Sequence, residues 1–172
     1  MWYFYKCFVS RDPSLMKSFF ITYVRPLLEY GSVVWSPVST AGINKIEGVQ
    51  RSFLKKIYNF SEICYKDRLD RLNLSSLQHR RLITDVMFLF DTLAGEKDIQ
   101  LNGHVTLREP GITRGHNLRI VIPKVVHNAT KRFFISRIAR HWNALPNLIL
   151  DCRNPNSLRL ALLSFFPDPF RV

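Results

Sequence analysis

Apolar side chains recur every three or four positions in three separate stretches of this chain, a spacing that calls for amphipathic helices. Ile43, Ile46, Val49, Phe53 and Ile57 make one stripe, and Leu82, Ile83, Val86, Leu89, Phe90 and Leu93 a second. Phe134, Ile138, Trp142 and Leu145 make a third. From 96 to 129 the helical period lapses. There VTLRE and LRIVIPK are β-like runs parted by the turn-rich EPGITRGHN, and they can pair as a small hairpin across a long connection. The expected fold is mainly α: a helical bundle over 1–95, a short β-like basic connector over 96–129, and two C-terminal helices in 130–172.

Start and stop signals refine this outline. Asp12 places a carboxylate where the first helix needs a cap, and Pro13 suits the first helical position. The run SLMKSFFITYVRPLLEYGSVVW is apolar nearly all round, which predicts a largely buried helix, kinked or split where Pro26 removes a backbone donor. Ser39 or Thr40 starts a helix over roughly 40–59, with Lys45, Arg51, Lys55 and Lys56 facing away from the apolar stripe. YKDRLDRLNL is a short helix. Ser75 or Ser76 caps the next, about 76–94, and Gly95 ends it; Arg80, Arg81, Asp85 and Asp91 are expected on its outer face. Asn128 or Thr130 opens KRFFISRIARHWNAL, which Pro146 closes, and NSLRLALLSFF is the last amphipathic run. Trp35 and Trp142 sit in apolar company and read as core.

Charge is the first pointer to a partner. The net charge is +12, and it is uneven: Lys and Arg outnumber Asp and Glu eight to three in 1–60 and eleven to three in 101–172, but only six to seven between. Two basic blocks around a neutral one suit a polyanion, most often nucleic acid. A basic surface that serves solubility alone is the plainer reading. In the connector, Arg108, Arg114, His116, Arg119 and Lys124 form a basic glycine-containing loop, able to hold phosphate or simply to face water.

Groups that could converge for catalysis are missing. Cys7, Cys64 and Cys152 lie far apart without a CxxC, which argues against a disulfide framework and a zinc site and for a reducing intracellular setting. His79, His104, His116, His127 and His141 show no metal-ligand spacing. There is no HExxH, GxSxG, Walker loop or GxGxxG, and no Asp-Asp dipeptide to hold a pair of magnesium ions. The aromatic start MWYFYKCFVSRD is too short and too interrupted by charge for a membrane span or signal peptide.

Six strings, read in order, resemble one known family. YVRPLLEYGSVVWSP, INKIEGVQRSFLKKI, YKDRLDRLNLSSLQHRRLITDVMFLFDTLAG, TRGHNLRIVIPK, KRFFISRIARHWNALP and NSLRLAL mark a match that spans about Ser10 to Leu163. They resemble the region after the palm in reverse transcriptases of jockey-like and other LINE-type non-LTR retrotransposons. The resemblance implies that residues 13–95 are a thumb-like helical region gripping the template–primer duplex, with 100–165 as the family's C-terminal segment. The family's parent protein carries an endonuclease and a fingers–palm domain with a Tyr-x-Asp-Asp motif, absent here. The implied chain is a fragment, inactive alone and exposing surface the palm would cover; any magnesium would belong to the palm, so no cofactor is expected in this chain.

The residues first expected to lie along phosphates are Lys45, Arg51, Lys55 and Lys56, followed by Arg114, Arg119, Arg137 and Arg140. The expected partners are an RNA/DNA template–primer duplex and the parent's fingers–palm and endonuclease domains, inside the cell in nucleus or cytoplasm, with no membrane. Two other readings stay open: a standalone nucleic-acid-binding protein derived from such an element, and an interaction module or remnant reading frame with inherited charge.

Overall fold

A computed structural model describes residues 10, 12–57, 60–95, 105–108, 116–124, 130–152 and 154–171. The fold is mainly helical: α1 (Pro13–Phe19), α2 (Arg25–Glu29), α3 (Ser32–Trp35), α4 (Thr40–Lys55), α5 (Tyr65–Leu72), α6 (Leu77–Leu93), α7 (Phe134–Asn143), α8 (Asn147–Leu150) and α9 (Pro155–Phe165). Among the described residues no strand forms. The two β-like runs do meet, at an antiparallel bridge between Leu107 and Ile120. The chain divides into two compact units, one of residues 1–30, 40–78 and 168–172, the other of 31–39 and 79–167. This spatial grouping cuts across the sequence blocks 1–95, 96–129 and 130–172.

In the first unit, Asp12 caps α1 as its position suggests, accepting from the Ser14 and Leu15 amides at 3.0 and 3.2 Å. Pro26 acts one turn early. A proline ring crowds the carbonyl four residues back, and here the chain widens into a π turn at Phe20–Val24, with the Arg25 N–H reaching the Phe20 carbonyl. This keeps α1 and α2 in one helical run and turns Met16 and Phe20 into a core with Phe53, Leu54, Ile57, Phe60, Leu69, Leu72 and Leu74. The run is not largely buried, contrary to expectation: Leu27 is 80% and Tyr30 85% exposed. Its apolar residues surround the helix, and the unit covers one side only.

Helix α4 buries Glu47, Gln50, Phe53 and Leu54, while Ile43, Ile46 and Val49 are only half-buried. The inward face is thus rotated from the predicted stripe, because a polar network needs it. Glu47, fully buried, accepts from the α6 amides of Leu77 and Gln78, each at 3.2 Å, and from the Tyr65 hydroxyl. Gln50 Nε2 donates to the Tyr65 oxygen at 3.0 Å and to the Ser75 carbonyl at 3.1 Å. Asp168 accepts from the Ser76 amide at 2.8 Å. Two carboxylates therefore satisfy the first amides of α6, where the helix dipole favours negative charge. Burial, and then the charge of Glu47, push the Tyr65 hydroxyl well above the ordinary tyrosine range.

The end of the chain is fastened to the same place. Phe170 lies edge-on to Tyr65 at 6.0 Å, and Arg171 Nε donates to Asp70 Oδ1 at 2.6 Å. Helix α5 stops where Asn73 takes a left-handed conformation at φ 47°, which asparagine tolerates better than most residues.

The second unit packs Ile83, Val86 and Leu89 of α6 with Ile138, Ala139 and Trp142 of α7 and Leu158 and Leu162 of α9. Trp142 is core, as predicted, and its Nε1 donates to the Leu118 carbonyl at 2.7 Å. Trp35 is not: it is 43% exposed. The Asn143 amide grips Ile120 from both sides, accepting its N–H at 2.9 Å and donating to its carbonyl at 2.8 Å. Ile120 is thereby held between α7 and the 105–108 segment, where the Arg108 amide donates to the Arg119 carbonyl at 2.7 Å. At Gly95 φ is +76°, the left-handed turn that ends α6 as the sequence suggests.

Replacing Glu47 with alanine leaves two helix amides and the Tyr65 hydroxyl without their acceptor. Urea denaturation is expected to register a loss of about 2–4 kcal/mol. Glu62→Ala, at an exposed position, is expected to stay within about 0.5 kcal/mol.

Candidate nucleic-acid interface

Sixteen residues make α4, and at about 100° per residue Lys45, Arg51, Lys55 and Lys56 fall within an arc of about 140°. All four are exposed, with Lys56 in the turn just past the helix. Along the axis, positions 45 to 55 span about 15 Å. Glu47 is the acid of this helix, and it is turned inward, into the α6 N-terminus. Since Glu47 is buried, the exposed side chains of this helix include no acid. Arg51 is also pre-oriented: its guanidinium lies 5.0 Å above the Tyr65 ring, a stacking that leaves the donor edges open to a phosphate.

The second predicted set does not gather in the same way. Arg114 lies outside the described residues, as do Cys7, His104, His127 and Asn128. Arg140 is exposed on α7, whereas Arg119 is half-buried. Arg137 has to be withdrawn as an outward cation. Its Nε donates to Asp85 at 2.9 Å, Nη2 to the Val33 carbonyl at 2.8 Å and Nη1 to the Arg132 carbonyl at 3.2 Å. The guanidinium is spent tying α3, α6 and α7 together.

Asp85 and Arg81, expected on the outer face of α6, are buried at 2% and 3% exposure. Burial raises the Asp85 pKa above the usual carboxylate value, against the opposing pull of Arg137 and then Arg81. His116 is likewise buried instead of lining an open basic loop. Its Nε2 lies 3.0 Å from the Trp142 carbonyl, and burial lowers its pKa. Its surroundings suit a neutral ring holding the connector to α7.

Among the described residues no group of His, Cys, Asp or Glu is arranged to hold a metal ion. No described helix is long and apolar enough to cross a membrane.

The residues that sequence reasoning missed are Glu47, Gln50 and Tyr65. One signal was present: on a helical projection Glu47 falls about 20° from Leu54 and about 40° from Ile43, toward the inward side. The partners that make a buried carboxylate tolerable come from distant segments.

No family model and no solved structure matches the chain. It is 33% identical over 94 residues to an uncharacterized protein of Caenorhabditis elegans, B0403.1, in a match covering 53% of this chain. That match spans about half of the relative, 48% of its length.

Arg137→Ala leaves the Asp85 carboxylate buried without its partner and is expected to cost about 3–5 kcal/mol in denaturant unfolding. Arg140→Ala, at an exposed position, is expected to change stability by no more than about 0.5 kcal/mol. Equal stability of the two variants would contradict the internal role given to Arg137.

Proposed function

We propose that this chain is the thumb and post-thumb region of a non-LTR retrotransposon RNA-directed DNA polymerase, contributing non-specific grip on an RNA/DNA template–primer duplex. The observation that carries the reading is the outward face of α4, where Lys45, Arg51, Lys55 and Lys56 stand exposed while Glu47 is turned inward. A row of cations on a packed helix binds phosphates without reading bases. The six family-like strings in order supply the polymerase context. Polymerisation itself is assigned to a fingers–palm domain carrying the aspartates and magnesium, and the setting is intracellular, in nucleus or cytoplasm.

The apolar side chains left open support a neighbouring domain as a partner. Tyr23, Leu27 and Tyr30 are exposed in the first unit, and Phe133, Leu148 and Leu160 in the second. Exposed apolar side chains of this size suit surfaces that another domain covers.

The test is binding of the whole chain to a labelled RNA–DNA duplex at about 50 and 200 mM salt, the range over which phosphate contacts register. Four contacts, each with a slope of about 0.9, are expected to weaken binding roughly 100-fold across that range. Lys55→Ala combined with Lys56→Ala is expected to remove about half of the slope. A folded chain that binds at neither salt overturns the reading.

A further inference from the structure

Gly48 stands in the middle of the α4 helix, on the angular sector between Arg51 and Lys45. A helix interior is a costly place for glycine, which spends more backbone entropy there than alanine. Nothing among the described residues of the unit requires it. A Cβ at this position meets no atom of the described residues within 4 Å, and its φ is not positive. Gly31 and Gly95 differ, since both take left-handed backbone conformations. The fold thus tolerates a helix-weakening residue, itself half-buried, in the centre of the cationic face of α4, where an alanine would fit.

We infer that Gly48 is the point of closest approach between α4 and a nucleic-acid backbone, its missing side chain letting a phosphate settle against the helix between the flanking cations. Glycine is suited to such a place because a ligand can come within contact distance of the main chain. Arg51, one turn along, has its guanidinium held over the Tyr65 ring. Lys45 precedes Gly48 by about one turn and Lys55 follows by about two, so a phosphate there has cations on both sides along the axis. The occupant that matches this face by charge is a polyanionic backbone. The inference rests on the binding role proposed above and specifies how that face is used.

The test sets two properties of one variant against each other. Gly48→Gln introduces a neutral side chain with good helix propensity, and Gly48→Ala adds a single methyl group. Both are expected to raise the Tm, by about 2–4 °C. With a labelled RNA–DNA duplex, Gly48→Gln is expected to weaken binding roughly tenfold near 0.1 M salt and to lower the salt slope by about one, the signature of one lost phosphate contact. Gly48→Ala is expected to fall between it and the native chain. A native chain that binds, together with a Gly48→Gln variant that is stabilised and binds equally well, overturns the inference and leaves the binding role standing. A folded native chain that fails to bind overturns both.

Discussion

A buried carboxylate fixes how this chain uses its longest cationic helix. Glu47 has no exposure, and its charge is compensated by two amides at the start of α6 and by the Tyr65 hydroxyl. An isolated carboxylate at that depth would cost far more than a fold of this size can absorb. Held at a helix N-terminus with its acceptor sites filled, it becomes a tie between elements thirty residues apart in sequence. The same arrangement sets the rotation of α4. Turning Glu47, Gln50 and Phe53 inward carries Arg51, Lys55 and Lys45 outward, so the packing and the charge of the exposed face are set together.

The second unit is organised around a comparable internal tie. Arg137 joins Asp85, Val33 and Arg132, and the Asn143 amide and Trp142 indole fasten the connector to α7. Such charged and polar fasteners hold a fixed geometry because each buried group depends on its partner. They also remove side chains from the pool available for binding. Arg137 and His116 look on paper like members of a basic surface, and they are committed to the interior.

The sequence made legible what depends on local chemistry. Asp12-Pro13 begins the first helix, Gly95 ends α6, and Ile138, Trp142 and Leu145 pack inward, because caps, left-handed turns and apolar periodicity act within a few residues. The two β-like runs were visible as extended segments with a turn-rich stretch between them, and they meet at one antiparallel bridge, Leu107 with Ile120. What escaped was set by partners distant in sequence. Glu47, Asp85 and Arg81 count as surface by residue type, yet each is buried, Glu47 and Asp85 against groups about 30 and 52 residues away. The exposure of Leu27 and Tyr30 escaped for the opposite reason, since an all-round apolar helix announces burial but not what covers it. For the candidate interface, Lys45, Arg51, Lys55 and Lys56 follow from helical geometry alone, while the inward turn of the one acid in α4 needed the structure.

If one helix both closes the core through Glu47 and meets nucleic acid through its exposed side, the contact should map to that side. Lysine footprinting by mass spectrometry, on the whole chain with and without an RNA–DNA duplex, reads this directly. Lys45, Lys55 and Lys56 are expected to lose reactivity together when duplex is bound. A bound duplex that leaves these three lysines as reactive as in the free chain would contradict the assignment of α4 as the binding face.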